Sequence, residues 1–259
     1  MISQEAAMPT VLITGAGSGL GRGLCLALRQ KGYGIVAADL NMHAARETVS
    51  LMGSVADVCA HGLDVTSETD VHRFFMGIAD KRIDVLINNA GIQHVARLEE
   101  FPQEKWDAVL NVIVKGTCLM TRAALPQMRK NGFGRIINIG SIHSLVASAY
   151  KTAYVTAKHA LVGFAKVVAL ETADVDITIN TICPSYIRTP LVEAQIKEQA
   201  RVHQISEEEV IEKIMLRPMP KHAFITADEV AATVDFLVSD MARNITAQTI
   251  ALDGGWTAQ

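Results

Sequence analysis

Short runs of consecutive apolar, largely β-branched residues alternate along the whole chain with longer stretches that have helical apolar spacing. Runs of this kind, without internal alternation, are typical of strands buried on both faces. We predict strands at 11–14, 35–39, 58–63, 85–88, 135–139, 177–182 and 249–252, and long helices at 103–129 and 150–172.

Buried strands separated by helices indicate a parallel sheet covered by helices on both sides. Because the crossovers are right-handed, the sheet should be doubly wound, with ligands at the carboxyl ends of its strands. We find no repeat, low-complexity tract or linker rich in proline or serine. A single α/β domain over residues 1–259 is therefore predicted.

One segment, 185–223, interrupts the alternation. Prolines flank its two charged helical stretches, and the connection is far longer than the usual few residues. We interpret it as a mobile helical lid over the site. A surface excursion or an oligomer contact is the alternative.

Composition and charge narrow the class of protein. Of the 259 residues 49% are hydrophobic, and the formal net charge of −3 offers no basic surface to nucleic acid or anionic membranes. We expect no apolar run of the ~18 residues that a membrane helix needs, and the first ten residues do not resemble a signal peptide. The four cysteines lack metal-binding spacing, so we predict reduced core thiols, no metal site and a cytoplasmic location.

A glycine-rich turn, running from Gly15 to Gly21, separates the first strand from a helix. Backbone N–H groups and the helix dipole at such a turn face a pyrophosphate. The strict GxGxxG spacing is absent; the glycines follow the pattern Gly-x-x-x-Gly-x-Gly after Thr14. A strand-to-helix turn without a ligand is the alternative. The residues predicted to bind a dinucleotide are Gly15, Ser18, Gly19, Leu20 and Gly21.

Asp39 ends the second strand, where a carboxylate can accept hydrogen bonds from the ribose hydroxyls of an adenosine. The same charge repels a 2′-phosphate, and no arginine stands immediately beside it, so NAD is favoured over NADP. Asp64 with Val65 is predicted to hold the adenine, although Asp64 as the N-cap of the next helix is the alternative.

Small residues end the fourth strand and let the backbone approach a cofactor; they add Asn88, Ala90 and Gly91 to the predicted site.

Ser141, Tyr154 and Lys158 form the candidate catalytic set. At i and i+4, the tyrosine and the lysine share one helix face, about 6 Å apart along the axis. The ammonium is expected to stabilise the phenolate and lower a pKa that starts near ~10. Such a phenol suits proton transfer in alcohol and ketone chemistry. Alone, Tyr-x-x-x-Lys is usually a solvated helical pair; with Ser141 and the glycine turn it predicts a dehydrogenase.

The order of these motifs resembles that of the short-chain dehydrogenase/reductase family along essentially the whole chain. The motifs are TGAGSGLG (14–21), Asp39, NNAG (88–91), Asn111, Ser141, Tyr154-x-x-x-Lys158 and the turn from Pro184 to Thr189. The resemblance implies a single-domain Rossmann fold, hydride transfer between a nicotinamide and a carbinol carbon, and a homotetramer.

The family resemblance also implies further roles. It adds Asn111 to the catalytic set, as support for a water chain that carries the proton outward; a structural helix residue is the alternative. Tyr154 and Lys158 are expected to contact the nicotinamide riboside. Three more cofactor contacts are implied at Pro184, Ile187 and Thr189.

Residues between the motifs are similar to the D-3-hydroxybutyrate dehydrogenase branch of the family, notably in INNAGIQHV (87–95), SIHSLVAS (141–148), KTAYVTAKHALVGFAKVVALE (151–171), RTPLVEAQI (188–196) and LDGGWTAQ (252–259). The resemblance implies a substrate-carboxylate site whose positions are occupied here by Gln93, His143, Lys151 and Gln195. It also implies a pocket wall from Trp256 near the C-terminus.

Two positions depart from that branch. Ser185 stands where glycine is common, and Tyr186 where tryptophan is common. A tyrosine can still wall an apolar pocket, but it is smaller and carries a hydroxyl that needs a partner. The resemblance therefore does not fix the pocket volume.

A small hydroxy acid offers few apolar contacts, so its carboxylate must orient it, and one cation with several neutral donors would do so. Each of the four residues of this implied carboxylate site also has a structural alternative. Lys151 could be an exposed helix charge, Gln93 a loop residue, His143 a cap and Gln195 a solvated residue of the lid.

We therefore predict reversible NAD-dependent oxidation of (R)-3-hydroxybutyrate to acetoacetate, a reaction of ketone body metabolism, with the hydroxyl between Ser141 and Tyr154. A dehydrogenase for another small hydroxy acid, a polyol, a steroid or a 3-oxoacyl thioester is the alternative. An idle NAD-sensing protein is also open, since a fold alone does not establish activity. For the tetramer, Phe164, Val167 and Val168 are expected to face a neighbour.

Overall fold

Seven parallel strands form one sheet in the computed structural model, which describes residues 8–53 and 57–258. The strands are β1 (Thr10–Thr14), β2 (Gly34–Asp39), β3 (Val58–Gly62), β4 (Val85–Asn88), β5 (Phe133–Ile139), β6 (Asp176–Pro184) and β7 (Thr249–Leu252). Their order across the sheet is β3-β2-β1-β4-β5-β6-β7. Every predicted strand is present with ends within two residues, so the predicted parallel α/β fold is confirmed.

Helices cover both faces of this sheet. They are α1 (Gly19–Gln30), α2 (Met42–Leu51), α3 (Glu68–Gly77), α4 (Gln103–Leu110), α5 (Gly116–Asn131), α6 (Thr152–Glu171), α7 (Pro190–His203), α8 (Glu207–Val210) and α9 (Ala227–Val238). Val11 and Ile13 of β1 face a core cluster with α1 and α9, and Leu12 between them faces a second cluster with α3, α5 and α6. Both faces are buried, which explains the continuous apolar runs in the sequence.

The carboxyl ends of β1, β4 and β5 reach the same edge of the sheet. Ile13 pairs with Ile87 and Asn88 pairs with Asn138, so the glycine turn, the NNAG motif and Ser141 all follow at that edge. The strand order reverses between β1 and β4, and connections that leave in opposite directions open a crevice there.

The long helix predicted at 103–129 is interrupted by a π-helical turn. Asn111–Lys115 joins α4 to α5, and Gly132 ends α5 with a φ of +68°. Such turns are rare and frequent at functional sites. Asn111, which begins this turn, is exposed.

The segment 185–223 contains α7, α8 and a second π-helical turn, Ile211–Met215. The Thr189 hydroxyl accepts a hydrogen bond from the N–H of Val192 and caps α7. The apolar side chains of the segment 185–223 form a small cluster made of Val192, Ile196, Val210 and Met215, against which Tyr186 and Phe224, just beyond the segment, pack. That this segment moves as a lid stays a prediction.

Two helical stretches are long and apolar enough, by length and mean hydropathy, to cross a membrane, although charged residues interrupt both. They are Gln103–Asn131 and Thr152–Glu171. Core helices of a soluble protein pass the same test, and both stretches bury side chains against the sheet. The expectation about a signal peptide falls mostly on residues 1–7, outside the described part of the chain.

Two predictions about side-chain burial were partly wrong. On α6, Val167 is exposed, but Val168 is buried and Phe164 packs against the core; Leu170, which was not selected, is 80% exposed. The four cysteines are free, yet Cys118 on α5 is exposed rather than part of the core.

Candidate active site

The glycine turn between β1 and α1 adopts its shape because side chains are absent. Gly15 and Gly19 have φ values of +65° and +52°, in the left-handed region that favours glycine. A Cβ on Gly21 would lie 2.1 Å from the Gly15 carbonyl oxygen. Ser18, the N-cap of α1, makes no side-chain capping bond to a described residue, and the first turn of α1 contains no acidic residue. The first N–H groups of α1 are therefore suited to an anion.

Asn89 fastens this turn to the end of β4. Its amide nitrogen donates to the carbonyl oxygens of Thr14 (2.8 Å) and Gly15 (3.2 Å). The sequence prediction selected Asn88, whose amide instead donates to Asn138 Oδ1 of β5 at 3.0 Å. Asn88 is buried between strands, so its side chain supports the strand end and does not line the crevice.

Asp39 is held at the rim of the turn by two backbone donors. The N–H of Gly17 donates to Oδ2 and the N–H of Asn41 donates to Oδ1, each at 2.8 Å. The carboxylate is thereby fixed beside the turn at the end of β2, where an adenosine ribose would meet it in a Rossmann domain.

A cavity of about 530 Å³ lies over these strand ends. The predicted site residues that line it are Gly15, Ser18, Gly19, Leu20, Gly21, Asp39, Ala90, Gly91, Gln93, Ser141, His143, Lys151, Tyr154, Lys158, Pro184, Tyr186, Ile187, Thr189 and Gln195. Residues from the glycine turn, from the ends of β4 and β5, from α6 and from the segment 185–223 thus meet in one crevice.

Five predicted residues lie outside this lining: Asp64, Val65, Asn88, Asn111 and Trp256. Asp64 Oδ1 accepts hydrogen bonds from the N–H and the hydroxyl of Thr66, at 2.8 and 2.7 Å. The N-cap of α3 is Ser67, so the alternative role of Asp64 as that cap was wrong. Val65 packs against Gly116 of α5.

Ser141, Tyr154 and Lys158 converge at the end of β5. The Lys158 ammonium donates to the carbonyl oxygen of Ile139 at 2.6 Å and lies 5.5 Å from the ring centroid of Tyr154. Ser141 lies close enough to Tyr154 to lower the pKa of its phenol. A phenol, a hydroxyl and an amine in one crevice can exchange a proton with a bound alcohol or ketone.

The tyrosine is not acidified as the sequence predicted. Burial raises the pKa of Tyr154 to about 12, and the nearby Ser141 is the main influence that lowers it. Burial also lowers the pKa of Lys158 to about 8. Desolvation disfavours the charged form of both groups and is the largest cause of both shifts.

Lys151, His143 and Gln93 give the same cavity a set of unpaired donors. Both ring nitrogens of His143 and Nε2 of Gln93 are buried without a hydrogen-bond partner among the described residues. Burial lowers the pKa of Lys151, and no described carboxylate offsets that effect. Buried polar groups are usually paired, and each unpaired one costs about 1–3 kcal/mol. The cluster therefore suits an anion with several oxygens.

Burial and then the charge of Lys151 lower the pKa of His143 to about 4. The imidazole is therefore neutral at pH 7 and offers one donor and one acceptor.

Aromatic rings wall this end of the cavity. The ring centroid of Trp256 lies 6.1 Å from that of His143 and 6.0 Å from that of Tyr186, and Lys151 Nζ lies 5.7 Å from the Tyr186 centroid. Trp256 thus packs against the lining residues His143 and Tyr186 without lining the cavity itself. Ser185, the other departure from the related branch, donates through its hydroxyl to Met219 Sδ at 3.2 Å.

Several lining residues were not selected from the sequence. They are Asn89, Ile92, Ile139, Gly140, Ile142, Ser185, Pro190 and Val192. Most of these residues directly follow a strand or adjoin a residue that was selected. Their position in the sequence, next to a strand end, could therefore have identified them as lining residues. Among the described residues no group of three or more His, Cys, Asp or Glu side chains is arranged to hold a metal ion.

The sequence is similar to a family model and to characterised dehydrogenases over its full length. The model, described as enoyl-(acyl carrier protein) reductase, matches residues 15–257. D-beta-hydroxybutyrate dehydrogenase of Rhizobium meliloti (strain 1021) is 42% identical over 256 residues, covering 96% of this chain and 99% of the relative. The enzyme of the same name from Cupriavidus necator is 41% identical over 254 residues, covering 96% and 98%.

Solved structures share the fold. Sorbitol-6-phosphate 2-dehydrogenase from Erwinia amylovora superposes with a TM-score of 0.89 at 28% identity, covering 95% of this chain and 98% of that one. A variant of actinorhodin polyketide ketoreductase with NADPH superposes with a TM-score of 0.90 at 27% identity, covering 97% and 98%.

Proposed function

Because the chain belongs to the short-chain dehydrogenase/reductase family of nicotinamide-dependent oxidoreductases, we propose that it reversibly oxidises (R)-3-hydroxybutyrate to acetoacetate with NAD. Two relatives of more than 40% identity carry that activity in their names. The observation that carries the proposal is the set of unpaired donors on Lys151, His143 and Gln93, in the cavity that also holds Ser141 and Tyr154.

The coenzyme site fits a dinucleotide. The turn from Gly15 to Gly21 and the start of α1 would hold the pyrophosphate, and Asp39 would accept from the ribose hydroxyls. A carboxylate at that position repels a 2′-phosphate, which supports NAD over NADP. The nicotinamide, when bound, accepts a hydride from the carbinol carbon.

The substrate carboxylate would pair with the Lys151 ammonium and accept hydrogen bonds from His143 and Gln93, with Gln195 nearby on α7. Charge-assisted bonds to a carboxylate are about twice as strong as neutral ones. A four-carbon acid held by its carboxylate can then present its hydroxyl to Ser141 and Tyr154.

Tyr154 is the proposed proton-transfer group. Its phenol is neutral in the chain alone, so it can donate to the ketone oxygen during reduction. During oxidation it must accept the hydroxyl proton as phenolate, and Ser141 and Lys158 are the groups positioned to stabilise that charge. We assign Asn111, at the π-helical turn, to a water chain that carries the proton outward.

A panel of substrates tests this function. Initial rates of NAD reduction would be compared for (R)-3-hydroxybutyrate, a polyol, cyclohexanol and a steroid alcohol, and reduction rates for a 3-oxoacyl thioester. The short hydroxy acid is expected to have the highest kcat/KM. A higher value for a bulky neutral alcohol or the thioester would favour another member of the family, and no turnover of any substrate would favour a sensor.

We further propose a cytoplasmic homotetramer. The exposed apolar side chains Val167 and Leu170 on α6 support a subunit contact there. Light scattering of the purified chain is expected to give four times the monomer mass, and a monomer would contradict it.

A further inference from the structure

A charged cluster on the outer side of the glycine turn has no part in the proposed reaction. Arg22 Nη2 donates to the carbonyl oxygen of Gly17 at 2.5 Å, and Arg22 Nε donates to the Thr48 hydroxyl at 3.0 Å. These bonds fix the guanidinium against the turn.

Glu47 of α2 contacts two basic side chains of this cluster, Arg22 and His43. One carboxylate oxygen lies 3.1 Å from Arg22 Nη2, and the other lies 3.3 Å from Nδ1 of His43. Both oxygens of Glu47 are thus directed at potential positive charge, and the Arg22–Glu47 pair is only partly exposed, at 30% and 52%.

This cluster adjoins Asp39 through a single residue. The N–H of Gly17 donates to Asp39 Oδ2, while the carbonyl oxygen of Gly17 accepts from Arg22. A Cβ on Gly17 would lie 2.9 Å from the Asp39 carboxylate and 2.8 Å from the Ala44 Cβ. Asp39 and Arg22 therefore stand on two sides of one peptide unit.

In Rossmann domains an acid at the end of the second strand selects the ribose hydroxyls of NAD, and a nearby arginine accommodates the 2′-phosphate of NADP. In this chain both groups contact Gly17 of the glycine turn: Asp39 accepts from its N–H, and Arg22 donates to its carbonyl oxygen. The positive charge that Arg22 can offer to a 2′-phosphate therefore depends on the carboxylate paired with it, which is Glu47.

We propose that Glu47 is a positioning residue that determines coenzyme specificity: by neutralising Arg22, it withholds positive charge from the rim beside Asp39 and strengthens the preference for NAD. The inference rests on the proposed use of NAD. Removing the Glu47 carboxylate leaves Arg22 fixed through Gly17 and Thr48, with its charge uncompensated.

The test is calorimetric titration of the purified full chain with NADH and with NADPH, which needs no substrate. The variants are Glu47→Gln, Glu47→Ala and the double variant Glu47→Gln/Arg22→Met. The matched control is Asp174→Asn, which changes the net charge by the same amount as Glu47→Gln. It frees Arg129 from an ion pair of 2.9 Å. Asp174 lies just before β6, at the end of that strand far from the cavity.

Both Glu47 variants are expected to lower the ratio of the NADPH Kd to the NADH Kd about two- to fivefold, the range of a partly exposed charge pair. Asp174→Asn should leave the ratio unchanged, and adding Arg22→Met should restore it. An unchanged ratio in the Glu47 variants, an equal shift in Asp174→Asn, or a shift that survives Arg22→Met would overturn the inference. The wild-type ratio separately tests the NAD preference: NADPH binding as tight as NADH would contradict that preference alone.

Discussion

The Lys158 ammonium donates a 2.6 Å hydrogen bond to the carbonyl oxygen of Ile139, the last residue of β5. The same strand end leads directly to Ser141, and the Lys158 nitrogen lies 5.5 Å from the ring centroid of Tyr154. The sheet edge therefore sets the positions of all three reactive side chains.

Tyr154→Phe should remove proton transfer while leaving coenzyme binding nearly intact, because only the phenolic oxygen is lost. A loss of about 10²–10⁴-fold in kcat is expected, the range for a positioned acid–base group. The measurements are steady-state rates and the NADH Kd. Turnover within tenfold of wild type would show that another group moves the proton.

Lys151→Ala should raise KM for the hydroxy acid by about 10- to 100-fold, since a charge-assisted bond to a carboxylate is worth about 1.5–3 kcal/mol. The effect on a neutral secondary alcohol should be small. Lys166→Ala, an exposed lysine of the same helix, is the matched control and should change neither value. Equal losses on acid and alcohol would remove Lys151 from the carboxylate site.

Gly21→Ala should disrupt the turn, since its Cβ would lie 2.1 Å from the Gly15 carbonyl oxygen. We expect the NADH Kd to rise at least about tenfold and the free energy of unfolding to fall by about 1–3 kcal/mol. Gly77→Ala in α3 is the control: nothing lies within 4 Å of its added Cβ, so it should stabilise by about 0.5–1 kcal/mol. NADH binding unchanged in Gly21→Ala would contradict the assigned phosphate site.

His143 should make stability fall in acid. Its pKa of about 4 lies below the ordinary value of 6.5, so the unfolded chain binds the proton first. The stability that the folded chain gains from the neutral His143 is fully present above pH 6.5 and is lost as the pH falls toward 4. Denaturant unfolding at pH 7 and pH 4.5 should show a smaller loss for His143→Gln than for wild type, by about 1–2 kcal/mol. An equal loss in both proteins would mean that the imidazole is not buried neutral.

The fold was predictable from the sequence because the central strands β1, β2, β4, β5 and β6 are buried on both faces and therefore appear as continuous apolar runs. The placement of Asp39 followed from the same logic, since the last residue of a parallel strand reaches the ligand edge. Lys151 and His143 were selected only through resemblance, because a helix start and a loop residue carry no periodic signal.

The misplaced residues depend on single-residue geometry. Successive side chains at a strand end point to opposite sides. The sequence alone therefore does not tell which of two adjacent asparagines holds the glycine turn; in the structure it is Asn89. Asp64 was assigned to the adenine, but its carboxylate is a turn acceptor: Oδ1 accepts a hydrogen bond from the N–H of Thr66, two residues further on. The raised pKa of Tyr154 arises from burial by tertiary contacts, which spacing along a helix cannot reveal.

The carboxylate site is tested most directly by the initial rate of NAD reduction with each enantiomer of 3-hydroxybutyrate, measured beside lactate, malate and a neutral secondary alcohol. The (R)-enantiomer alone is expected to give a high kcat/KM. Comparable rates with the neutral alcohol, or a preference for malate or lactate, would contradict a site built around the carboxylate of a short 3-hydroxy acid.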